Sequence, residues 1–234
     1  MFITFVVFLA IFTQSVSGFG LSLVAMSLLV NVIGVREATP LVSLVAITAE
    51  LIILIYYHHA FNLRAVARLS ITAVLGIPIG LYYLGQVDEH VVTAVLGIIL
   101  CTYALYALSG LKLPRLENPL WAYGLGFCSG LLGGAYNTSG PPIVIYGSCR
   151  QWPPAEFKSN LQGFFLLIST LAAIGHALNG NFTSTIWHNY LYALPGIALG
   201  ILIGVRLDKR LNPQSFRQIV LVMLIVLGLR LILS

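Results

Sequence analysis

Eight long apolar stretches, near residues 1–33, 38–57, 69–87, 91–111, 119–149, 159–179, 186–205 and 214–233, constrain this chain more than any motif does. A run of about 18 or more apolar residues with few charges has the length of a membrane span. Only 8% of the residues are charged, where a soluble domain carries about 25%, and the polar links are too short to bury a core of their own. The fold class is therefore an all-α polytopic membrane protein. The formal net charge of +5 reports on topology rather than on affinity for nucleic acid, which is not an expected partner. Six stretches suit one crossing each. The first and fifth, at 33 and 31 residues, are longer, and each is interrupted near its middle.

The interruption in the fifth stretch is the decapeptide GGAYNTSGPP, residues 133–142; in the first it is Gln14-Ser15-Val16-Ser17-Gly18-Phe19-Gly20. The two belong to a repeat. LGIPIGLYYLGQVDEHV from Leu75 lies over LGILIGVRLDKRLNPQS from Leu199 at an offset of 124, sharing the core LGxxIG. SGFGLSLVAMS (17–27) lies over NTSGPPIVIYG (137–147) at an offset of 120, and the link VREAT (35–39) over AEFKS (155–159). The first repeat spans 1–111 and the second 119–234, forming one membrane domain. The amino terminus looks like a signal peptide but lacks a basic leader, and its match in the second half argues that it is kept.

Each interrupted stretch is either one broken crossing or a hairpin that enters and leaves on the same side. If both are crossings, Arg36, Arg150, Lys158, Arg206, Lys209, Arg210 and Arg217 face Arg64, Arg68, Lys112, Arg115 and Arg230, seven against five. If both are hairpins, only Arg36 and Arg230 oppose the other ten, which is the bias that cytoplasmic links carry. The hairpin reading is preferred. Each repeat is then a re-entrant helical hairpin (1–33, 119–149) plus three transmembrane helices. Three is odd, so the repeats have inverted topology, with both termini outside.

Irregular backbone at membrane depth is tolerated where protein encloses it or a wet cavity runs past it. Glycines at 133, 134 and 140 permit tight turns, Thr138 and Ser139 are expected to cap the returning helix, and Pro141 suits its first turn. A helix amino end favours an anion, so the two tips are expected to hold a small anion without a formal cation. Gln14, Ser17, Gly18, Phe19 and Gly20 would contribute from the first tip, and Asn137, Thr138, Ser139, Gly140 and Pro141 from the second. The alternative is that the breaks only let helices pack closely.

GLLGGAYNTSGPPIVIY (130–146) resembles the second-half signature of the TauE/SafE sulfite exporter family, and SGFGLSLVAMSLL (17–29) is similar to its first-half counterpart. The resemblance covers nearly the whole chain. It implies a secondary transporter, not an enzyme, in a bacterial plasma (inner) membrane, moving a sulfur-containing anion of the sulfite or organosulfonate class by alternating access. It also implies a site around Gly18, Gly20, Thr138, Ser139, Gly140 and Pro141. Many members have a glycine run followed by a proline where this chain has Phe19 and Ala25, which bears on the size of its solute.

Glu50 is an acidic residue deep in a span, and such groups are functional candidates by default. It either couples protons to anion movement or is a structural carboxyl bonded to a neighbouring helix. Asn160, Gln162 and Tyr146 are vestibule candidates on the basic face, with capping and helix–helix bonding the alternative for the two amides. Tyr136 flanks the second tip; His176 reads as structural. The Cys101, Cys128 and Cys149 spacing suggests neither disulfides nor a metal, and no cofactor is expected. Two other functions stay open: a passive anion channel, and an intramembrane enzyme built on Ser139 and His176.

Overall fold

Each interrupted stretch becomes two helices, and each of the five plain stretches up to residue 208 becomes one. The computed structural model describes residues 2–86, 88–110 and 116–208, and helical positions 218, 221–222, 225–226, 228–229 and 232–233. In order come α1 (Phe2–Ser17), α2 (Leu21–Ile33), α3 (Val35–Tyr57), a 3-10 turn (His58–Ala60), α4 (Leu63–Gln86), α5 (Glu89–Leu108), α6 (Trp121–Tyr136), α7 (Gly140–Cys149), α8 (Pro154–Leu178) and α9 (Ser184–Asp208). Most of the span expected at 214–233 lies outside the described residues, as do Val87, Lys112, Arg115, Lys209, Arg210, Arg217 and Arg230. Among the described residues, four segments are long and apolar enough to cross a membrane: Val35–Ala60, Leu63–Tyr82, Pro154–Leu178 and Ser184–Leu207.

Local chemistry sets the ends. Asn62 caps α4, its Oδ1 accepting the Ala65 N–H at 3.2 Å, so the helix starts six residues before the apolar run and carries Arg64 and Arg68 in its first turns. Asp88 caps α5 by accepting the His90 N–H at 2.8 Å. α1 stops where Gly18 and Gly20 adopt φ of 84° and 108°, a region that only glycine enters without strain.

Two glycine seams hold the packing together. Gly126, Gly130 and Gly134 of α6 lie against the backbone of Leu69, Ala73 and Ile77 of α4. Gly76 and Gly80 answer from α4; a Cβ on Gly76 would stand 2.6 Å from the Phe127 carbonyl oxygen. Gly196, Gly200 and Gly204 of α9 lie in the same way against α1, at Thr4, at Phe8 and Ile11, and at Phe12 and Ser15. Small residues let membrane helices approach backbone to backbone. Both copies of LGxxIG therefore play one structural role, pressing their glycines on the leading helix of the other half's interrupted stretch.

The rising numbers along both seams mean that α4 runs parallel to α6, and α1 parallel to α9. α4 is also parallel to α8, Asn62 meeting Asn160 and Leu81 meeting Gly175. α3 is parallel to α9: Thr48 bonds Tyr190 at 2.7 Å, while Ile52 and Tyr56 share a groove with Ile201 and Arg206 further along. α3 and α8 run antiparallel, with the Lys158 ammonium 5.5 Å from the Tyr57 ring centre and Ser169 bonded to Glu50.

Candidate functional site

The break between α1 and α2 is held by side-chain amides. Gln14 Oε1 accepts the Leu21 N–H at 3.1 Å, closing the amino end of α2. Gln14 Nε2 donates to Gln162 Oε1 at 2.8 Å, and Gln162 Nε2 donates to the Gly18 carbonyl at 2.9 Å. Both glutamines are buried, so this triangle fixes the break to α8 across 148 residues of sequence. Ser17 Oγ sits between the carbonyl oxygens of Phe19 at 2.6 Å and Thr13 at 2.7 Å. Phe19 is turned into the core, edge-on to Tyr103 of α5.

A lysine that sequence reasoning did not place here touches the first break through its carbon stem, its ammonium lying by the Tyr57 ring. The Lys158 stem lies over Gly18, with Cγ 2.9 Å from where a Cβ would be. That contact joins residues 140 apart and leaves no local pattern to read.

The second break differs in kind. Asn137 closes α6 in the left-handed region, φ 52°, and the N–H groups of Asn137 and Thr138 turn back to the carbonyls of Gly133 and Leu132. The expected capping by Thr138 and Ser139 is absent. Ser139 occupies the N-cap position, and a cap needs the N–H of the second or third helical residue. Those residues are Pro141 and Pro142, which have none. Ser139 is held instead through its carbonyl, which accepts from Ser129 Oγ. Thr138 Oγ1 and Asn137 Nδ2 are left buried, at 0% and 3% residue exposure, without a hydrogen-bond partner among the described residues. Buried polar groups nearly always have partners, so two adjacent donors of this kind are suited to meeting a polar solute.

α8 brings the breaks together. Gln162 touches the first; Phe165, within 3.9 Å of a Cβ built on Gly140, touches the second, only about 4.5 Å further along the axis. One turn on, Ser169 bonds Glu50, which is 2% exposed, and Gln14 bonds the same carboxyl. Glu50 is thus linked through one amide to the first break, while its Oε2 has no partner among the described residues.

The other candidates lie apart. Asn160 Oδ1 accepts the Asn62 N–H at 2.8 Å, tying α8 to the start of α4. Tyr146 packs edge-on to Trp152 in a separate cleft. Tyr136 is buried at the end of α6. His176 pairs its Nδ1 with Asn181 at 3.0 Å; it lies eleven residues, about 16 Å of helix, beyond Phe165, so Ser139 and His176 do not make a catalytic pair. The three cysteines are free, and no group of three His, Cys, Asp or Glu among the described residues is placed to hold a metal.

The family model described as sulfite exporter TauE/SafE matches residues 3–231. The chain is similar to a probable sulfite/organosulfonate exporter TauE of Cupriavidus necator, 25% identical over 94% of this chain and 88% of that one. It is also similar to a probable inner membrane transporter protein TsaS of Comamonas testosteroni, 26% identical over 74% of this chain and 76% of that one. No solved structure matches it.

Proposed function

The chain belongs to the TauE/SafE sulfite exporter family, whose members are transporters and not enzymes, and from that premise we propose a secondary transporter of a small sulfur-containing anion, of the sulfite or organosulfonate class. The anion binds where the two breaks meet α8, and access to it alternates between the two faces of a bacterial inner membrane. The observation that carries this reading is the pair of unpartnered donors, Thr138 Oγ1 and Asn137 Nδ2, beside the amino end of α7. With prolines at 141 and 142, that helix end presents few backbone N–H groups, so side-chain donors make up most of the anion's contacts.

Helix directions support the re-entrant, inverted arrangement. α1 and α3 are both parallel to α9, so α2 carries the chain back between them; α6 and α8 are both parallel to α4, so α7 does the same. Since α3 opposes α8, the two sets point opposite ways, as inverted repeats do. Both termini are then outside. In this reading Glu50, bonded to Gln14, couples protons to anion movement; the bond to Gln14 at the first break supports that role.

Equilibrium binding by the purified chain of sulfite, sulfate, thiosulfate and small sulfonates, paired with flux into proteoliposomes, tests the proposal. Saturable flux of the anion that binds is expected. Flux that never saturates and tracks the membrane potential alone identifies a passive channel instead.

A further inference from the structure

A polar cavity, away from both breaks, opens at the far end of α7. It has a volume of about 390 Å³, and its walls include Arg64 and Arg68 of α4 and Arg150 and Gln151 after α7. Tyr146, whose phenol feels the Arg150 and Arg68 charges, Asn62 and Glu156 add to the polar lining. Three arginines thus share the cavity with one glutamate. Glu156 Oε1 is already engaged by Asn62 at 3.0 Å and Asn160 at 3.4 Å. Among the described residues, neither Arg64 nor Arg68 has an acidic partner. They stand one helical turn apart, the spacing at which like charges repel on a helix face. Arg150 is held in place, donating to the carbonyls of Leu116 at 2.7 Å and Glu117 at 3.0 Å, so its charge stays beside the cavity. Gln151 is kept in the left-handed region, φ 53°, a conformation that non-glycine residues adopt at a cost and that clusters at ligand sites.

We propose that this arginine cavity is an oxyanion-binding site distinct from the two breaks. Planar guanidinium forks match sulfur and phosphorus oxyanions, and three arginines line the cavity against one glutamate. The oxyanion comes either from solution, as a staging position for the transported solute, or from the phosphate of an anionic lipid. The site stands on its own geometry and not on the reading of the breaks.

The variants are R64Q/R68Q and, as the charge-keeping control, R64K/R68K; both positions are exposed, so the fold is expected to keep its melting temperature. The probes are sulfite by calorimetry, and phosphatidylglycerol retained by the full chain in native mass spectrometry. If the occupant is a solute, wild type binds sulfite at two sites, R64Q/R68Q loses one with affinity down about tenfold or more, and N137A loses the other. If it is a lipid, R64Q/R68Q stops retaining phosphatidylglycerol while sulfite binding is unchanged, and R64K/R68K retains part of it. R64Q/R68Q that behaves as wild type with both probes overturns the proposal, whatever N137A does to the break site.

Discussion

Replacing Thr138 with Val should move stability and binding in opposite directions. Thr138 is fully buried and its hydroxyl has no partner among the described residues, while its N–H is already bonded to Leu132. Valine keeps the shape and the backbone bond and removes only the hydroxyl. An unsatisfied buried polar group costs about 1–3 kcal/mol, so the solute-free variant should gain about 1 kcal/mol. For a chain of this length that raises the melting temperature by roughly 2–4 °C. The same hydroxyl, donating to an anion, contributes about 1.5–3 kcal/mol, so affinity should fall roughly ten- to a hundredfold. Thermal unfolding with and without sulfite measures both in one experiment: the variant melts higher alone and gains less from the anion. A variant that melts lower and binds as wild type refutes the reasoning, because the hydroxyl then serves the fold.

Further outcomes follow from the packing and the topology. Gly76→Ala forces a Cβ on the Phe127 carbonyl and should destabilise by about 1–3 kcal/mol, whereas Gly124→Ala, with nothing within 4 Å, should melt no lower than wild type. Glu50→Gln keeps the bonds to Ser169 and Gln14 in outline and removes the ionisable group; anion flux should persist and lose its dependence on a pH gradient. Unchanged dependence removes Glu50 from coupling. Cysteines placed at Arg36 and Arg150 should react with impermeant maleimide from opposite faces; reaction from one common face contradicts the re-entrant arrangement.

The breaks were legible because their glycines stand beside hydroxyl and amide residues, unlike most glycines of the seams, and the helices do stop at Gly18 and Asn137. The LGxxIG repeat was legible as a repeat. Its role was not, since the partners of Gly76 and Gly200 lie some 50 and 190 residues away in sequence. The Gln14–Gln162 pair and the Lys158 contact with Gly18 escaped for the same reason: each joins the two halves, and no local periodicity marks it. The capping expectation for Ser139 failed on information already in the sequence. Reading Pro141 as a favourable first-turn residue overlooked that it and Pro142 remove the donors a cap requires.

The glycine seams also decide which parts can travel together. α1 is clasped to α9 and α6 to α4, so each leading arm is held by close backbone contact to a helix from the opposite repeat. Separating one half of the chain bodily from the other would have to unzip both clasps at once. If access alternates as proposed, the units expected to shift are the mixed pairs, sliding along the crossing of α3 and α8 beside Glu50.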